Sequence, residues 1–296
     1  MSDLSISFPD FRSAAAVIEM LDDAAEHMRE HPQRKGSCVQ LGHQGTLLVT
    51  GDLHDNPEHL SVILRLAKLH ASPQHHVVFQ EIIHSERLLN GVDLSHRMLL
   101  RIAWCITQYP LQVHMVLANH ELAQMTGRGV SKGAGNSVEL FRDGLDYAYA
   151  DDAEDVDDAV ARFIAALPLA VRTGNGGLVA HSLPSPLNMQ RFDVDILNRE
   201  LSEEDYRANE GSAYLMTWGR GHTDEQIASL AQMWNVQMFL LGHEHIEIGC
   251  EMKGPQVVKI NSDHDQAAVL PLDLTGAMPS AEELMMSAIR IRALIR

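Results

Sequence analysis

Short apolar runs that end in a polar, chemically capable residue recur along this chain. Thr46-Leu47-Leu48-Val49-Thr50, Val77-Val78-Phe79, Val113-His114-Met115-Val116-Leu117 and Val236-Gln237-Met238-Phe239-Leu240-Leu241 have the length of buried strands. The first three predict strands over 46–50, 76–81 and 112–118. Between and before them, apolar positions fit helices at 13–30, 57–70 and 93–108, and Pro57 after Asn56 stands where a helix starts. Residues 36–45, from Gly36 to Gly45, read as a turn region. The alternation predicts βαβαβ connectivity with mainly parallel buried strands.

The stretch 122–150 breaks this pattern. It carries Gly127, Gly129, Gly133, Gly135 and Gly144 and reads as a long loop. The acidic run Asp151-Asp152-Ala153-Glu154-Asp155-Val156-Asp157-Asp158 reads as the negatively charged start of a helix over 156–166, favoured by the helix dipole. It lacks the glycine and closing glutamate of a calcium loop. Residues 122–170 are therefore expected to form a loop and helical cap inserted into one domain spanning 1–296. Further strands are expected around 177–181, 213–217, 236–241, 256–260 and 267–272, with a helix near 224–233 and a helical tail from Pro279. They predict a second, mixed sheet packed on the first, an α/β class with α+β character.

Apolar residues make up 45% of the 296-residue chain, enough for a large core. No run of 18 apolar residues occurs, and the N-terminus has no basic stretch followed by an apolar one, so the expected location is the cytoplasm, away from membranes. Cys38, Cys105 and Cys250 have no framework spacing and read as reduced structural thiols. The formal charge of −17, from 23 basic and 40 acidic residues, argues against nucleic acid as the main partner. An anionic substrate must then be drawn in locally, by metal ions or an arginine, against the overall field.

The chemistry concentrates in Gly51-Asp52-Leu53-His54, Gln80-Glu81-Ile82-Ile83-His84, Ala118-Asn119-His120-Glu121, Val179-Ala180-His181 and Gly242-His243-Glu244-His245. Most directly follow an apolar run, which places Asp, Glu, Asn and His at the carboxyl edge of a sheet, where ligand sites form. Asp52 and His54, like His243 and His245, are two apart, so in extended chain both side chains could reach one ion. Converging, these groups make a cage of oxygens and imidazoles.

This ordered set resembles the calcineurin-like metallophosphoesterase superfamily, and within it the serine/threonine protein phosphatase branch. The resemblance covers about residues 45–270 and includes Phe163 to Leu167-Pro168-Leu169-Ala170 and Trp218-Gly219-Arg220-Gly221. It implies a four-layer α/β/β/α sandwich. It also implies that Asp52 and His54 bind a first metal, Glu81 bridges, and Asn119, His181 and His243 bind a second. His245 would complete the first site, His120 would stand beside the leaving group, and Arg220 would grip the phosphoryl group.

The second motif departs from the family's Gly-Asp-x-x-Asp. Gln80 stands for the glycine, Glu81 for the bridging Asp, and His84 for the Asp that orients the catalytic histidine. Ser85 occupies the place of a phosphate-gripping arginine, with Arg87 two residues on, and Asp55 replaces a glycine. His84 can hold a tautomer but supplies no negative charge. Oxygen and nitrogen donors without cysteine suit Mn, Fe or Zn. The implied activity is that of a phosphomonoesterase with a dinuclear centre and a metal-bound hydroxide, acting on a phosphorylated small molecule or phosphoprotein. A phosphodiesterase or pyrophosphohydrolase of the same superfamily, and a catalytically degenerate metal-binding or scaffold protein, remain as alternatives.

Overall fold

The computed structural model describes residues 7–128, 131–132 and 135–295; the glycines at 129 and 133 lie outside them. The chain opens with α1 (Ala14–Arg29), β1 (Arg34–Lys35), β2 (Cys38–Gln40), β3 (Thr46–Asp52), α2 (Pro57–Ala67), β4 (His75–Gln80), α3 (His96–Gln108) and β5 (Val113–Met115). There follow α4 (Asn119–Thr126), the small hairpin β6 (Ser131–Lys132) and β7 (Gly135–Asn136), α5 (Ser137–Tyr149) and α6 (Ala153–Ala165). The second half holds β8 (Ala170–Arg172), β9 (Gly177–Ala180), α7 (Ser212–Thr217), α8 (Asp224–Trp234), β10 (Met238–Leu241), β11 (Cys250–Met252), β12 (Val257–Ile260), β13 (Ala268–Asp273), α9 (Ala281–Ser287) and β14 (Ile289–Arg290).

One sheet has the order β14-β13-β3-β4-β5, with β3, β4 and β5 parallel. The other runs β1-β2-β8-β9-β10-β12-β11, with β9, β10 and β12 parallel. Side-chain alternation along the strands makes the layers. Leu47, Val49, Val78, Val179, Leu240, Val258 and Leu270 share the core between the sheets. Their neighbours Leu48, Val77, Phe79, Leu178, Phe239 and Leu241 turn outward to a second core built with the helices. The result is two mixed sheets flanked by helices, the α/β class the pattern predicts.

Five segments differ from expectation. Residues 36–45 include β2, which joins the second sheet beside β8 in parallel register. β13 pairs antiparallel with β3, so it extends the first sheet instead of the second. The segment 213–217 is the helix α7: Ala-Tyr-Leu-Met-Thr is a short apolar run of either type, and here Thr217 donates its hydroxyl back to the Ala213 carbonyl one turn earlier. The stretch 122–150 is mostly helical, in α4 and α5, and the charged positions of α5 face out while Val138, Phe141 and Leu145 are buried. α6 starts at Ala153 with Glu154 and Asp155 in its first turn, and α1, α3, α5 and α6 pack together. The tail is helical only over α9 and then adds β14 to β13.

All three cysteines are free and buried, and burial raises their thiols, to about 12 at Cys105. No described helix is long and apolar enough to cross a membrane.

Candidate metal centre

The two sheets meet closely at the carboxyl end of β3. Asp52 forms a parallel bridge with Asn261, its carbonyl accepts from the Ser262 amide, and Gly51 donates its amide to Ser262 Oγ. A Cβ at residue 51 would lie 1.9 Å from the Ile260 carbonyl oxygen, so this approach needs glycine. Gly242 has a similar role after β10: a Cβ there would sit 2.4 Å from both Asp52 Oδ1 and Gln80 Oε1. These contacts bring the ends of β3, β4, β5, β9 and β10 to one buried pocket.

Glu81 is the hub. Its Oε1 lies 2.9 Å from His54 Nε2 and 3.6 Å from His120 Nε2, and its Oε2 lies 2.7 Å from His181 Nε2. Two donor groups share it, His54–Glu81–His120 and Glu81–His181–His243. Asn119 Oδ1 completes the second, 2.6 Å from His181 Nε2 and 3.0 Å from His243 Nδ1. Asp52 stands behind them, with Oδ1 accepting the His243 backbone N–H at 2.8 Å and lying 3.8 Å from His181 Nδ1.

Proton bookkeeping on this cage is decisive. Gln80 donates its Nε2 to the Thr50 carbonyl at 2.7 Å, so its Oε1 faces His181 Nδ1 at 3.0 Å and takes the proton there. In the neutral ring His181 Nε2 then holds a lone pair that points at Glu81 Oε2 and Asn119 Oδ1, two further acceptors, and the nearest donor is His243 Nδ1 at 3.1 Å, protonated because its Nε2 accepts from Arg220. Glu81 Oε2 has no partner in hydrogen-bond geometry despite its 2.7 Å contact. His54 repeats the pattern: Nδ1 donates to the Ile83 carbonyl at 3.0 Å, so Nε2 meets Glu81 Oε1 as one acceptor facing another. Acceptors packed against acceptors away from water are costly unless a cation lies among them. The donor set therefore fits metal ions, with imidazole nitrogens, a carboxylate and an amide oxygen converging on one pocket.

Electrostatics agree. Burial alone would raise Glu81, but His120, His181 and His54 outweigh it and hold the carboxylate well below its usual range. Burial would lower His181, yet Glu81 and Asp52 lift it above an ordinary imidazole. Burial and the Glu81 charge push Asp52 up. Burial, and then His181, pushes His243 down to about 2.

The backbone is bent to make these meetings. His54, Asp55, Glu81, His84 and His243 all have positive φ, between 40° and 70°. Each such residue costs on the order of 1–3 kcal/mol, and strain of this kind gathers at functional sites. Glu121 clamps the Glu81 turn by accepting from the Ile82 and Ile83 amides at 2.8 and 3.3 Å; burial and Glu81 raise it to about 7.

The remaining candidates divide. His120 joins the pocket with its Nδ1 3.0 Å from His84 Nδ1, so His84 does stand beside it. Arg220 is exposed at the rim and donates Nε to His243 Nε2 at 2.9 Å. Arg87 is drawn toward the site by its own path, donating to the His54 carbonyl at 2.7 Å and pairing with Asp263 at 2.7 Å. It lines a cleft of about 750 Å³ with His59, His264 and Arg292. His245 does not join the cage. It is exposed, with its ring 4.9 Å from that of His264, because the chain turns outward after His243. Sequence reasoning read Gln80 only as a departure, quoted Glu121 in its motif and Asp157 in the acidic run without giving either a role at the site, and did not single out Gln124. Gln124 carried a usable signal, four residues after His120 on one helix face.

A model of the calcineurin-like phosphoesterase family matches residues 45–247, more than half of the chain. No curated protein matches in sequence. Among solved structures, a protein serine/threonine phosphatase from Saccharomyces cerevisiae superposes with a TM-score of 0.65 at 16% identity, over 88% of this chain and 82% of that one. A cold-active protein-tyrosine phosphatase from a psychrophilic Shewanella superposes at 0.58 and 13% identity, over 85% and 84%. At these identities the likeness establishes the fold. With the family match running from β3 through β10, over more than half of the chain, the chain belongs to the calcineurin-like phosphoesterases.

Proposed function

We propose that this chain hydrolyses phosphate monoesters, of a phosphorylated small molecule or a phosphoprotein, with two bound metal ions. The observation that carries this reading is the convergence of His181 Nε2, Glu81 Oε2 and Asn119 Oδ1, three acceptors that meet one proton, on His243 Nδ1, and leave Glu81 Oε2 without a hydrogen-bond partner. Glu81 would bridge the ions, with Asp52 and His54 on one side and Asn119, His181 and His243 on the other; Mn, Fe or Zn suits these donors. Bound ions would supply positive charge for the phosphoryl oxygens and acidify water.

The chain's own residues do the rest. His120 protonates the leaving oxygen through Nε2, the nitrogen that faces Glu81. Arg220 binds the phosphoryl group as a planar cation. His243 can offer Nδ1 to an ion only when its proton sits on Nε2, where Arg220 now donates. With His243 holding an ion through Nδ1, Arg220 would lose this acceptor and be left for the anion. With a net charge of −17, Arg220 and the bound ions would be the local attraction for a substrate anion.

A diesterase reading draws on one observation: Arg87 is already committed to Asp263, so few cations wait for a dianion. Assays of p-nitrophenyl phosphate beside its bis-ester, under Mn, Zn and Fe, separate the two. Preferred turnover of the monoester supports the proposal, preferred turnover of the diester replaces it, and no turnover with full metal occupancy leaves a scaffold.

A further inference from the structure

Four side chains run in a line from the pocket to the surface of α6. His120 Nδ1 is 3.0 Å from His84 Nδ1, and His84 Nε2 is 3.0 Å from Gln124 Oε1. Gln124 Nε2 donates to Asp157 Oδ1 at 3.1 Å, and Asp157 Oδ2 accepts from Arg142 Nε at 2.9 Å. His84 and Gln124 are at most 2% exposed, so the inner links are shielded from water.

The outer end fixes every proton inward. Arg142 only donates and the Asp157 carboxylate only accepts, so the Gln124 amide must present its NH2 outward and its oxygen inward. That oxygen needs a proton from His84 Nε2. A neutral His84 then has its lone pair on Nδ1, which must receive the proton of His120 Nδ1. His120 Nε2 is left as the nitrogen that gains and loses a proton, on the side of Glu81 Oε1, 3.6 Å away.

We propose that Gln124 and Asp157 are positioning residues for His120: acting through His84, they set which of its nitrogens faces the reacting group. A carboxylate on a helix of the cap region thereby does through two intermediaries what a carboxylate in contact with the histidine would do directly. Because the links are neutral, the relay supplies orientation without placing a negative charge against the ring. This rests on His120 being the proton donor of the proposed reaction, but the tautomers themselves can be read without turnover.

Asp157→Asn is the sharpest test, because it reverses the chain. The new amide gives its oxygen to Arg142 and its NH2 to Gln124, so Gln124 turns over and hands a proton to His84 Nε2 as acceptor. His84 then carries its proton on Nδ1. Two N–H groups face each other whenever His120 holds its second proton.

Long-range 1H–15N correlation spectra of the zinc-loaded full chain, with 15N-labelled histidine, report the tautomers directly. The expected wild-type result is His84 protonated on Nε2 and His120 on Nδ1, with both assignments moved in Asp157→Asn. Gln124→Met, which removes the acceptor, serves as a second variant should the first fold poorly. In the same variants, kcat for phenyl phosphate should fall about 10- to 100-fold. KM, zinc content and turnover of 2,4-dinitrophenyl phosphate, whose leaving group needs no proton, should stay within about twofold. Wild-type His84 protonated on Nδ1 or on both nitrogens overturns the proposal, as do unchanged tautomers in Asp157→Asn. Should the chain cleave no phosphoester, the spectra still decide the relay, and only the functional reading falls.

Discussion

Two clusters of histidines flank β4 and β5, and they are built differently. Near the start of β4, His76 Nδ1 lies 3.2 Å from His114 Nε2, their rings are stacked 5.4 Å apart, and His31 packs its ring 5.3 Å from His114. Past the ends of the same strands, His54, His120, His181 and His243 surround Glu81 and Asn119. Among the described residues the first cluster has no carboxylate in ion-pair contact. Burial drives His76 down to about 4 and His114 well below the ordinary imidazole range, and neighbouring histidines push the same way. The second cluster lifts His181. Buried imidazoles alone stay neutral and pack as flat polar rings; a shared carboxylate and a converging amide oxygen make them a place for a cation.

The largest expected effect comes from erasing that difference. Glu81→Gln removes the one anion common to both donor groups, leaving imidazoles in the condition of the first cluster. Elemental analysis after incubation with Mn should show loss of metal, and turnover should drop by more than ~100-fold, beyond the range for outer partners. Full metal content in this variant would contradict the central role of Glu81. Gln80→Leu is gentler. It takes away the acceptor that keeps the His181 proton on Nδ1, and metal affinity measured by titration calorimetry should weaken about 10- to 100-fold.

The first cluster predicts a pH effect of definite sign. His76 has a lower pKa folded than unfolded, so the unfolded chain takes up protons first, and stability present above pH 6.5 is lost as pH falls toward 4. His31, lowered by burial, and fully buried His114 add to the same slope; His75 and Arg34 are the neighbouring groups that oppose protonation. For His76 the shift corresponds to about 3 kcal/mol. Urea midpoints measured across that range should fall with pH, and His76→Leu should flatten the decline.

Much of this was open to reading from the chain. The apolar runs that close at Thr50, Phe79, Leu117 and Leu241 pointed to the cage, because Asp, Glu, Asn or His follows each within two residues. What escaped depended on folding. The five-residue run at 213–217 carries no periodicity long enough to tell strand from helix. β13 could have joined either sheet by composition. His245 matched a motif two residues after His243, yet the positive φ of His243 breaks the extended geometry that would aim both rings the same way. Asp157 looked like any acid at the start of a helix, and only the packing of α4 against α6 brings it to Gln124.

The smallest effect checks that correction. His245→Ala should leave metal content unchanged and stability within about 0.5 kcal/mol, as for an exposed side chain with no buried partner. Loss of an ion in this variant would restore His245 to the first site.

Anomalous diffraction at the manganese edge from crystals grown with Mn tests the central claim most directly. The account predicts two peaks flanking the Glu81 carboxylate, about 3.5–4 Å apart, with none at His31, His76 and His114. No peak beside Glu81, or peaks at the carboxylate-free cluster instead, would contradict it.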